Sequence, residues 1–230
     1  MLKELKAAVC QANLDLVTAG LVIETFGNVS GIDRARGLVA IKPSGVPYDR
    51  MKPEQMVVVS LETGRVVEGK LKPSSDLPTH LVLYRAFPQI GGVVHTHSLH
   101  ATAWAQARKG IPAYGTTHAD YWHGDVSCTR LLTAKEIRTD YEANTGHVIV
   151  ERFTRLDPMQ YPAVLVASHG PFTWGENAHD AVHHAVALEF VARLASETLR
   201  LNPKQKAMQP ALLDKHFLRK HGSGAYYGQR

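Results

Sequence analysis

Apolar residues recur at intervals of three or four in several stretches of the chain, the spacing that lines one face of a helix. Residues 2–16 follow this spacing, and Gly20 stands where such a helix ends. A second helix is predicted after Asp76, and the longest helix is predicted from Asn177 to about Leu201. For that longest helix we expect the buried face to consist of Val182, Val186, Phe190, Leu194 and Leu201.

Two further helices are predicted in the middle of the chain from the residues at their ends. Ser98 is a residue type that caps helices, and the Ala-rich stretch behind it extends to Ala107. Thr133 likewise caps a predicted helix that reaches Asn144, and Gly146 is expected to close it.

Short apolar runs between turn residues predict the strands. Residues 56–60 and 64–68 flank a turn and predict a hairpin, whereas Gly27 and Asn28 are expected in a loop between strands. Ile111 is expected to begin another strand. The remaining predicted strands are 38–41, 90–94, 147–150, 163–167 and 172–174. Mixed helices and strands over 230 residues predict one α/β domain.

The charge and cysteine content of the chain bear on its partners and location. The formal net charge is +5, but Lys and Arg are scattered and form no stripe interleaved with aromatic residues. Nucleic acid is therefore not an expected partner. A small anionic substrate is equally compatible with the net positive charge. A membrane is not expected either, because no apolar run approaches roughly 18 residues. Cys10 and Cys128 have no CxxC spacing, which favours a reducing, cytoplasmic location.

A His-Thr-His sequence follows the apolar run at 90–94 and suggests a metal site. Side chains two apart on a strand share a face, so His95 and His97 are expected to point the same way. Neutral imidazole is a preferred ligand of zinc and similar ions, and an open catalytic zinc site takes about three protein ligands. His169 is the candidate for the third. The alternative is a set of polar side chains that are each hydrogen-bonded to the backbone.

Asp76 opens the second predicted helix, shortly before the histidines. A carboxylate at this position has two interpretations, and both stay open on the residues alone. It is an N-cap of the helix, or it is a fourth ligand or an acid/base group beside the ion.

Three short loops contain the residue types that bind an anion. They are Gly27-Asn28, Ser44-Gly45 with Lys42 before it, and Ser74-Ser75. Glycine lets backbone N–H groups approach an oxyanion, serine adds a hydroxyl donor and lysine adds positive charge. Each loop is also an ordinary turn by composition.

Taken in order along the chain, these motifs resemble the class II aldolase family, and more narrowly its L-ribulose-5-phosphate 4-epimerase branch. The Ser-Ser-Asp, Thr-His-Ala-Asp and Tyr-Tyr-Gly segments are those that distinguish this branch from the aldolases. Phe26 stands where the branch is expected to carry tryptophan. The motifs are Gly27-Asn-Val-Ser30, Lys42-Pro-Ser-Gly45, Pro73-Ser-Ser-Asp76, His95-Thr-His97, Gly115-Thr-Thr-His-Ala-Asp120, Ser168-His-Gly-Pro171 and a tail from Arg219 to Gly228.

The resemblance implies a fold, an assembly and a cofactor. The fold is α/β, with a central, mainly antiparallel sheet sandwiched between helical layers. It forms a single domain, residues 1–230, whose C-terminal tail at about 212–230 completes the active site. The assembly is a homotetramer with active sites at subunit interfaces, and the cofactor is Zn²⁺ or another divalent cation.

The resemblance also assigns roles to individual residues. The metal ligands are His95, His97 and His169, with Asp76 as a ligand or a close neighbour. Asp120 and Tyr227 are the acid/base pair and reach the metal of a neighbouring subunit. Seven residues bind the substrate: the phosphate site consists of Asn28, Ser44, Gly45, Ser74 and Ser75, with Gly27 shaping the first loop and Lys42 nearby.

The activity implied is interconversion of L-ribulose 5-phosphate and D-xylulose 5-phosphate, in arabinose catabolism or a related pentose or ascorbate route. The C4 proton of such a substrate is not acidic, so simple deprotonation cannot invert C4, whereas retro-aldol cleavage of the C3–C4 bond can. The glycolaldehyde phosphate then rotates and adds back. Two alternatives stay open: an aldolase that releases the aldehyde, and a non-catalytic module like the adducin head.

Overall fold

The computed structural model of the chain describes residues 2–222 and 224–227; residues 1, 223 and 228–230 of the predicted domain and tail lie outside them. The described helices are α1 (Lys3–Thr18), α2 (Leu77–Ala86), α3 (Leu99–Gln106), α4 (Thr116–Ala119), α5 (Ala134–Arg138), α6 (Tyr141–Arg152), α7 (Ala178–Leu201) and α8 (Pro210–His221). The described strands are β1 (Asn28–Asp33), β2 (Leu38–Ile41), β3 (Val57–Ser60), β4 (Val66–Glu68), β5 (Gly92–His95), β6 (Ser127–Cys128), β7 (Ala163–Leu165) and β8 (Pro171–Gly175).

The strands form one sheet in the order β4-β3-β2-β1-β5-β8-β7-β6. Every neighbouring pair is antiparallel except β6 and β7, which run parallel. The expected mainly antiparallel sheet is therefore confirmed, and so is the predicted β3–β4 hairpin. β5 lies near the middle of the sheet, between β1 and β8.

Alternating side chains of the strands supply the apolar cores on the two faces of the sheet. In β3, Val57 and Val59 join the core that contains α2 and Trp174, whereas Val58 joins the core that contains α1 and the start of α7. Helices thus cover both faces, as the expected layered fold requires. None of the helices in the described part of the chain is long and apolar enough to cross a membrane.

The region from Thr133 to Arg152 differs from the prediction. Two helices, α5 and α6, replace one, and the predicted strand at 147–150 lies inside α6. Gly146 does not close a helix, because it lies within α6 where the helix packs on α2. A Cβ atom built on Gly146 would lie 2.7 Å from Cβ of Val82. The glycine therefore permits close helix packing, and the apolar run behind it is the buried side of a helix.

Two further local predictions were wrong. Ile111 makes an isolated bridge to Val126 and does not begin a strand of the sheet. Asn28, predicted to lie in a loop, is the first residue of β1, while Gly27 precedes the strand with φ +121°. The polar Asn-Val-Ser sequence enters the sheet because its neighbours β2 and β5 supply partners on both edges of β1.

The buried face of α7 also differs from the expected one. Val182 is buried, but Val186, Phe190, Leu194 and Leu201 are exposed. The helix approaches the sheet so closely that a Cβ atom on Gly92 would lie 2.4 Å from the Asn177 carbonyl oxygen. Small side chains fit such a contact, and six alanines of α7 are buried: Ala178, Ala181, Ala185, Ala187, Ala192 and Ala195.

Candidate active site

The register of the central strands places the first candidate site residues side by side. Asn28 at the start of β1 pairs with His95 at the end of β5, and His95 pairs with Phe172 on β8. The ring of His95 stacks on that of Phe172, with ring centroids 4.2 Å apart and planes inclined by 15°. Because side chains directly opposite in antiparallel strands lie close together, Asn28 faces the imidazole.

The three predicted metal ligands come together in the structure. One ring nitrogen from each of His95, His97 and His169 lies within 4.8 Å of the other two. The Nε2 atoms of His95 and His97 are 3.1 Å apart. His95 is buried, His97 is exposed, and His169 is intermediate. The cluster therefore lies at the surface end of β5, open on one side.

His169 is brought to the cluster by a tight turn between β7 and β8. The Val166 N–H donates to the Gly170 carbonyl oxygen at 2.9 Å, and the His169 N–H donates to that of Val166 at 3.0 Å. Ser168 has φ +61°, a left-handed conformation that is costly for a residue with a side chain. The turn holds this strained residue directly before the histidine.

The histidines are held in the state that binds a metal ion. The His95 Nδ1–H donates to the Pro171 carbonyl oxygen at 2.9 Å, which leaves Nε2 as the unprotonated nitrogen that faces the cluster. Burial lowers the pKa of His95, and burial with the neighbouring imidazoles lowers the pKa of His169 to about 3. Neutral imidazoles with free lone pairs, beside the carboxylate of Asp76, fit zinc and similar divalent cations.

Asp76 lies at the N-cap position of α2, but its side chain makes no capping hydrogen bond. Its Oδ2 instead accepts a hydrogen bond from Asn28 Nδ2 at 2.7 Å. Burial by itself would raise the pKa of Asp76, but the proximity of His95 and His80 and this hydrogen bond lower it. The carboxylate is therefore ionised beside the histidine cluster, as a ligand or a close neighbour requires.

A cavity of about 250 Å³ joins the histidine cluster to all three predicted anion loops. All seven predicted substrate-binding residues and all four predicted metal residues line it. The lining residues are Thr25, Phe26, Gly27, Asn28, Lys42, Pro43, Ser44, Gly45, Ser74, Ser75, Asp76, His95, His97 and His169.

The anion loops are shaped by contacts that the residue pattern did not reveal. A Cβ atom on Gly27 would lie 2.7 Å from Val22 Cγ1, so this position requires glycine. Tyr48 donates to the Gly27 carbonyl oxygen at 2.7 Å, and Lys42 Nζ lies 4.8 Å from the centroid of the Tyr48 ring. Burial lowers the pKa of Lys42, because its ammonium group loses solvation there. A bound anion would favour the charged form of this lysine.

The predicted acid/base residues lie elsewhere in the chain. Neither Asp120 nor Tyr227 is among the described residues that line the cavity. Asp120 follows α4, and both of its carboxylate oxygens accept hydrogen bonds from the Arg219 guanidinium group of α8. Arg219 also lies over the ring of Tyr227, 4.6 Å from its centroid. The structure thus joins Asp120 to Tyr227 through Arg219, but it does not join either to the histidines within one chain.

The contacts of Asp120 keep its carboxylate ionised. Burial would raise the pKa of Asp120, but hydrogen bonds from Arg219 and His216 and the charge of Lys220 lower it. His216 Nδ1 lies 3.0 Å from Asp120 Oδ1. Tyr227 remains 57% exposed, so part of this residue is accessible to another molecule.

Sequence reasoning missed several residues around the cavity. Tyr141 Oη lies 3.2 Å from His169 Nδ1, and Phe172 lies under His95. His80 is fully buried beneath the site, and its Nδ1 lies 2.7 Å from Ser30 Oγ. Tyr141 and Phe172 belong to no recognisable motif, so the sequence gives no sign that they lie at the site. For His80 a signal existed, because it is one helical turn after Asp76 on the same face of α2.

Comparison with known proteins shows relatives that match over most of the chain. The family model described as Class II Aldolase and Adducin N-terminal domain matches residues 7–196. L-ribulose-5-phosphate 4-epimerase UlaF from Salmonella paratyphi B is 56% identical over 229 residues, which is 100% of both chains. The protein of the same name from Salmonella typhi is likewise 56% identical over 229 residues and 100% of both chains.

Solved structures show the same architecture. An L-fuculose 1-phosphate aldolase matches with a TM-score of 0.78 and 26% identity, over 93% of this chain and 94% of that chain. The L-fuculose-1-phosphate aldolase of Thermus thermophilus matches with a TM-score of 0.66 and 25% identity, over 89% of this chain and 98% of that chain. Because the family model matches most of the length of this chain, the chain belongs to the class II aldolase and adducin N-terminal domain family.

Proposed function

We propose that the chain is a divalent-metal-dependent epimerase that interconverts L-ribulose 5-phosphate and D-xylulose 5-phosphate. The observation that carries the proposal is the cavity that joins a three-histidine cluster to three anion loops. Such a cavity suits a substrate with a carbonyl group at one end and a phosphate at the other. Relatives that are 56% identical over their full length bear the name of this activity.

In the proposed reaction a carbon–carbon bond breaks and forms again. The C4 proton of the pentulose is not acidic, so an acid/base pair alone cannot invert that carbon. Cleavage of C3–C4 leaves an enediolate of dihydroxyacetone and the aldehyde of glycolaldehyde phosphate. Rotation of the aldehyde and re-addition to its other face produce the C4 epimer.

His95, His97 and His169 would hold the metal ion, with Asp76 as a fourth ligand or a charged neighbour. When bound, the cation supplies Lewis acid stabilisation of the negative charge that develops on the enediolate oxygens. Asn28 anchors the Asp76 carboxylate through the 2.7 Å hydrogen bond from Nδ2. The chain thereby fixes one charged group beside the ion and leaves the exposed side of His97 for substrate.

The anion loops would keep the aldehyde fragment bound between cleavage and re-addition. Ser44, Ser74 and Ser75 supply hydroxyl donors, and Lys42 supplies positive charge that a bound phosphate would favour. Gly45, with φ +66°, exposes its backbone to the cavity. Retention of the phosphate fragment is what separates an epimerase from an aldolase.

Asp120 and Tyr227 would act as acid and base on the two faces of the aldehyde, from a neighbouring subunit. Within one chain both residues lie outside the described lining of the cavity, so a second chain is needed to bring them to it. The tail from about residue 212, with Tyr227 exposed near its end, would complete the neighbouring active site. We therefore propose a homotetramer with active sites between subunits. The free thiols of Cys10 and Cys128 support a reducing, cytoplasmic location.

The test is NMR of purified, zinc-supplemented protein incubated with L-ribulose 5-phosphate. We expect D-xylulose 5-phosphate to form without accumulation of fragments. If free dihydroxyacetone and glycolaldehyde phosphate form without the epimer, the protein is an aldolase and the proposal is wrong. No reaction by metal-loaded protein would remove both activities.

A further inference from the structure

Two of the three clustered histidines have a polar partner on the side of the ring that faces away from the cluster. For His95 the partner is the Pro171 carbonyl oxygen, which only accepts, so its tautomer is fixed with the proton on Nδ1. For His169 the partner is the Tyr141 hydroxyl group, 3.2 Å from Nδ1. With Nδ1 occupied, Nε2 is the atom of His169 left to face the other imidazoles.

Tyr141 is held in place by the packing of α6 on α2. It is the first residue of α6, and its carbonyl oxygen accepts a hydrogen bond from Thr145 Oγ1 at 2.9 Å. Thr79 on α2 donates to the carbonyl oxygen of the next residue, Glu142, at 2.5 Å. Gly146 allows the two helices to approach closely. Because α2 also begins beside Asp76, one helix pair positions both the tyrosine and the carboxylate.

We propose that Tyr141 is a positioning residue for the metal site, whose hydroxyl oxygen accepts the Nδ1–H of His169 and so presents the Nε2 lone pair of that histidine to the ion. A histidine ligand is commonly oriented by a hydrogen bond to its second ring nitrogen. The Tyr141 and His169 rings have centroids 6.0 Å apart and planes inclined by 30°, so the contact is made by the hydroxyl group and not by stacking. The inference rests on the proposed metal site.

The distinction between positioning and simple packing lies in the hydroxyl group alone. Tyr141→Phe keeps the ring and removes the acceptor, so packing on α2 is preserved. Tyr161→Phe is the matched control, because Tyr161 is also partly buried and donates one hydrogen bond, to the His123 carbonyl oxygen at 2.7 Å, away from the cavity. Thermal unfolding of both variants checks that each is folded.

The first measurement is zinc affinity, from competition with a chromophoric chelator. We expect Tyr141→Phe to bind zinc roughly 10 to 100-fold more weakly than the wild type, the usual cost of losing such an outer hydrogen bond. Tyr161→Phe is expected to bind zinc as the wild type does. Wild-type affinity in folded Tyr141→Phe would overturn the proposal.

The second measurement needs no variant. Neutron diffraction from metal-free, deuterated wild-type crystals at about pH 8, above the ordinary histidine pKa of about 6.5, locates the ring proton of His169. A deuteron on Nδ1 directed at Tyr141 supports the proposal, and a deuteron on Nε2 overturns it. Failure of the wild type to bind zinc would instead refute the proposed metal site, and it would leave the neutron result to decide the contact between Tyr141 and His169.

Discussion

His97 is the most exposed member of the histidine cluster, and its position differs from that of His95. The motif predicts two imidazoles on one face of a strand, but β5 ends at His95. His97 therefore reaches the cluster from the segment between β5 and α3, with its Nε2 3.1 Å from that of His95. The prediction that His95 and His97 lie together is therefore correct, but strand alternation explains only the position of His95.

Replacing His97 with asparagine tests its proposed role as a metal ligand. We expect His97→Asn to lose zinc affinity by at least roughly 100-fold, because a direct ligand is removed rather than an outer partner. Turnover should fall in parallel. Metal analysis and the epimerase assay measure the two effects. His147→Asn, at an exposed position of α6, is the control; full metal content and activity in His97→Asn would contradict the site.

Asp120 is proposed to act in proton transfer, so its replacement should separate chemistry from metal binding. Asp120→Asn is expected to retain zinc and to lose about 100-fold or more in turnover, the usual contribution of an acid/base group. Since Asp120 also binds Arg219 of α8, a control must disturb the same helix. Asp214→Asn replaces the exposed carboxylate of α8 that lies 2.7 Å from His123 Nε2 and should keep near-normal turnover. Equal rates in the two variants would exclude a chemical role for Asp120.

Tyr227 has a neighbour that provides a close control. Tyr226 and Tyr227 are both exposed and each lies against a cationic side chain, Lys215 and Arg219 respectively. Tyr227→Phe should lower turnover by about 100-fold, because the phenol is proposed to transfer a proton. Tyr226→Phe should not. Steady-state kinetics compare the two variants, and wild-type turnover in Tyr227→Phe would remove it from the mechanism.

At the scale of elements, the predicted ends of α1, α3 and α7 agree with the structure, but the predicted end of the helix that begins after Thr133 does not. Thr133 caps α5 with the Glu136 N–H as donor, as its type indicates. Gly146 is typical of a helix stop by residue type, although its role depends on Val82, which lies far away in the sequence. A glycine that ends a helix and a glycine that allows another helix to pack closely are the same residue type. The local sequence alone therefore cannot distinguish these two roles.

The packing at Gly146 leads to a stability prediction for the α2–α6 pair. Alanine has better helix propensity than glycine by about 1 kcal/mol, but an overpacked contact costs about 1 to 3 kcal/mol. Since the added Cβ would lie 2.7 Å from Val82 Cβ, the packing cost should exceed the propensity gain, and Gly146→Ala should lower the free energy of unfolding by up to about 2 kcal/mol. Urea unfolding at fixed protein concentration measures this change.

The double variant Gly146→Ala with Val82→Ala tests the cause. Truncation of Val82 makes room for the new methyl group, so the double variant should be more stable than the sum of the two single losses predicts. Simple additivity would mean that the contact with Val82 is not responsible.

At the scale of the whole molecule, the exposed apolar row on α7 suggests where another chain makes contact. Val186, Phe190 and Leu194 lie on the solvent side because alanines occupy the side that faces the sheet. Leu194 also lines a groove with Tyr114 and Thr117, next to the α4 segment that leads to Asp120. Exposed apolar rows of this kind mark protein interfaces.

Leu194→Glu is therefore expected to weaken the proposed tetramer. A charge in the contact should shift the mass measured by light scattering towards smaller species and lower turnover, because each active site would lose residues from its neighbour. Leu201→Glu is the control, since Leu201 is 80% exposed at the end of α7. An unchanged mass for Leu194→Glu would place the subunit contact elsewhere.

The sequence by itself determined which groups are available for chemistry: the imidazoles of His95, His97 and His169, and the Gly, Ser and Lys loops. These follow from residue type and spacing, which are local. The tertiary structure decided the arrangement, because the β1–β5 register places Asn28 opposite His95 and the close approach of α7 to the sheet selects alanines for its buried face. Both depend on contacts between residues far apart in the chain, and residue type and local spacing do not specify such contacts.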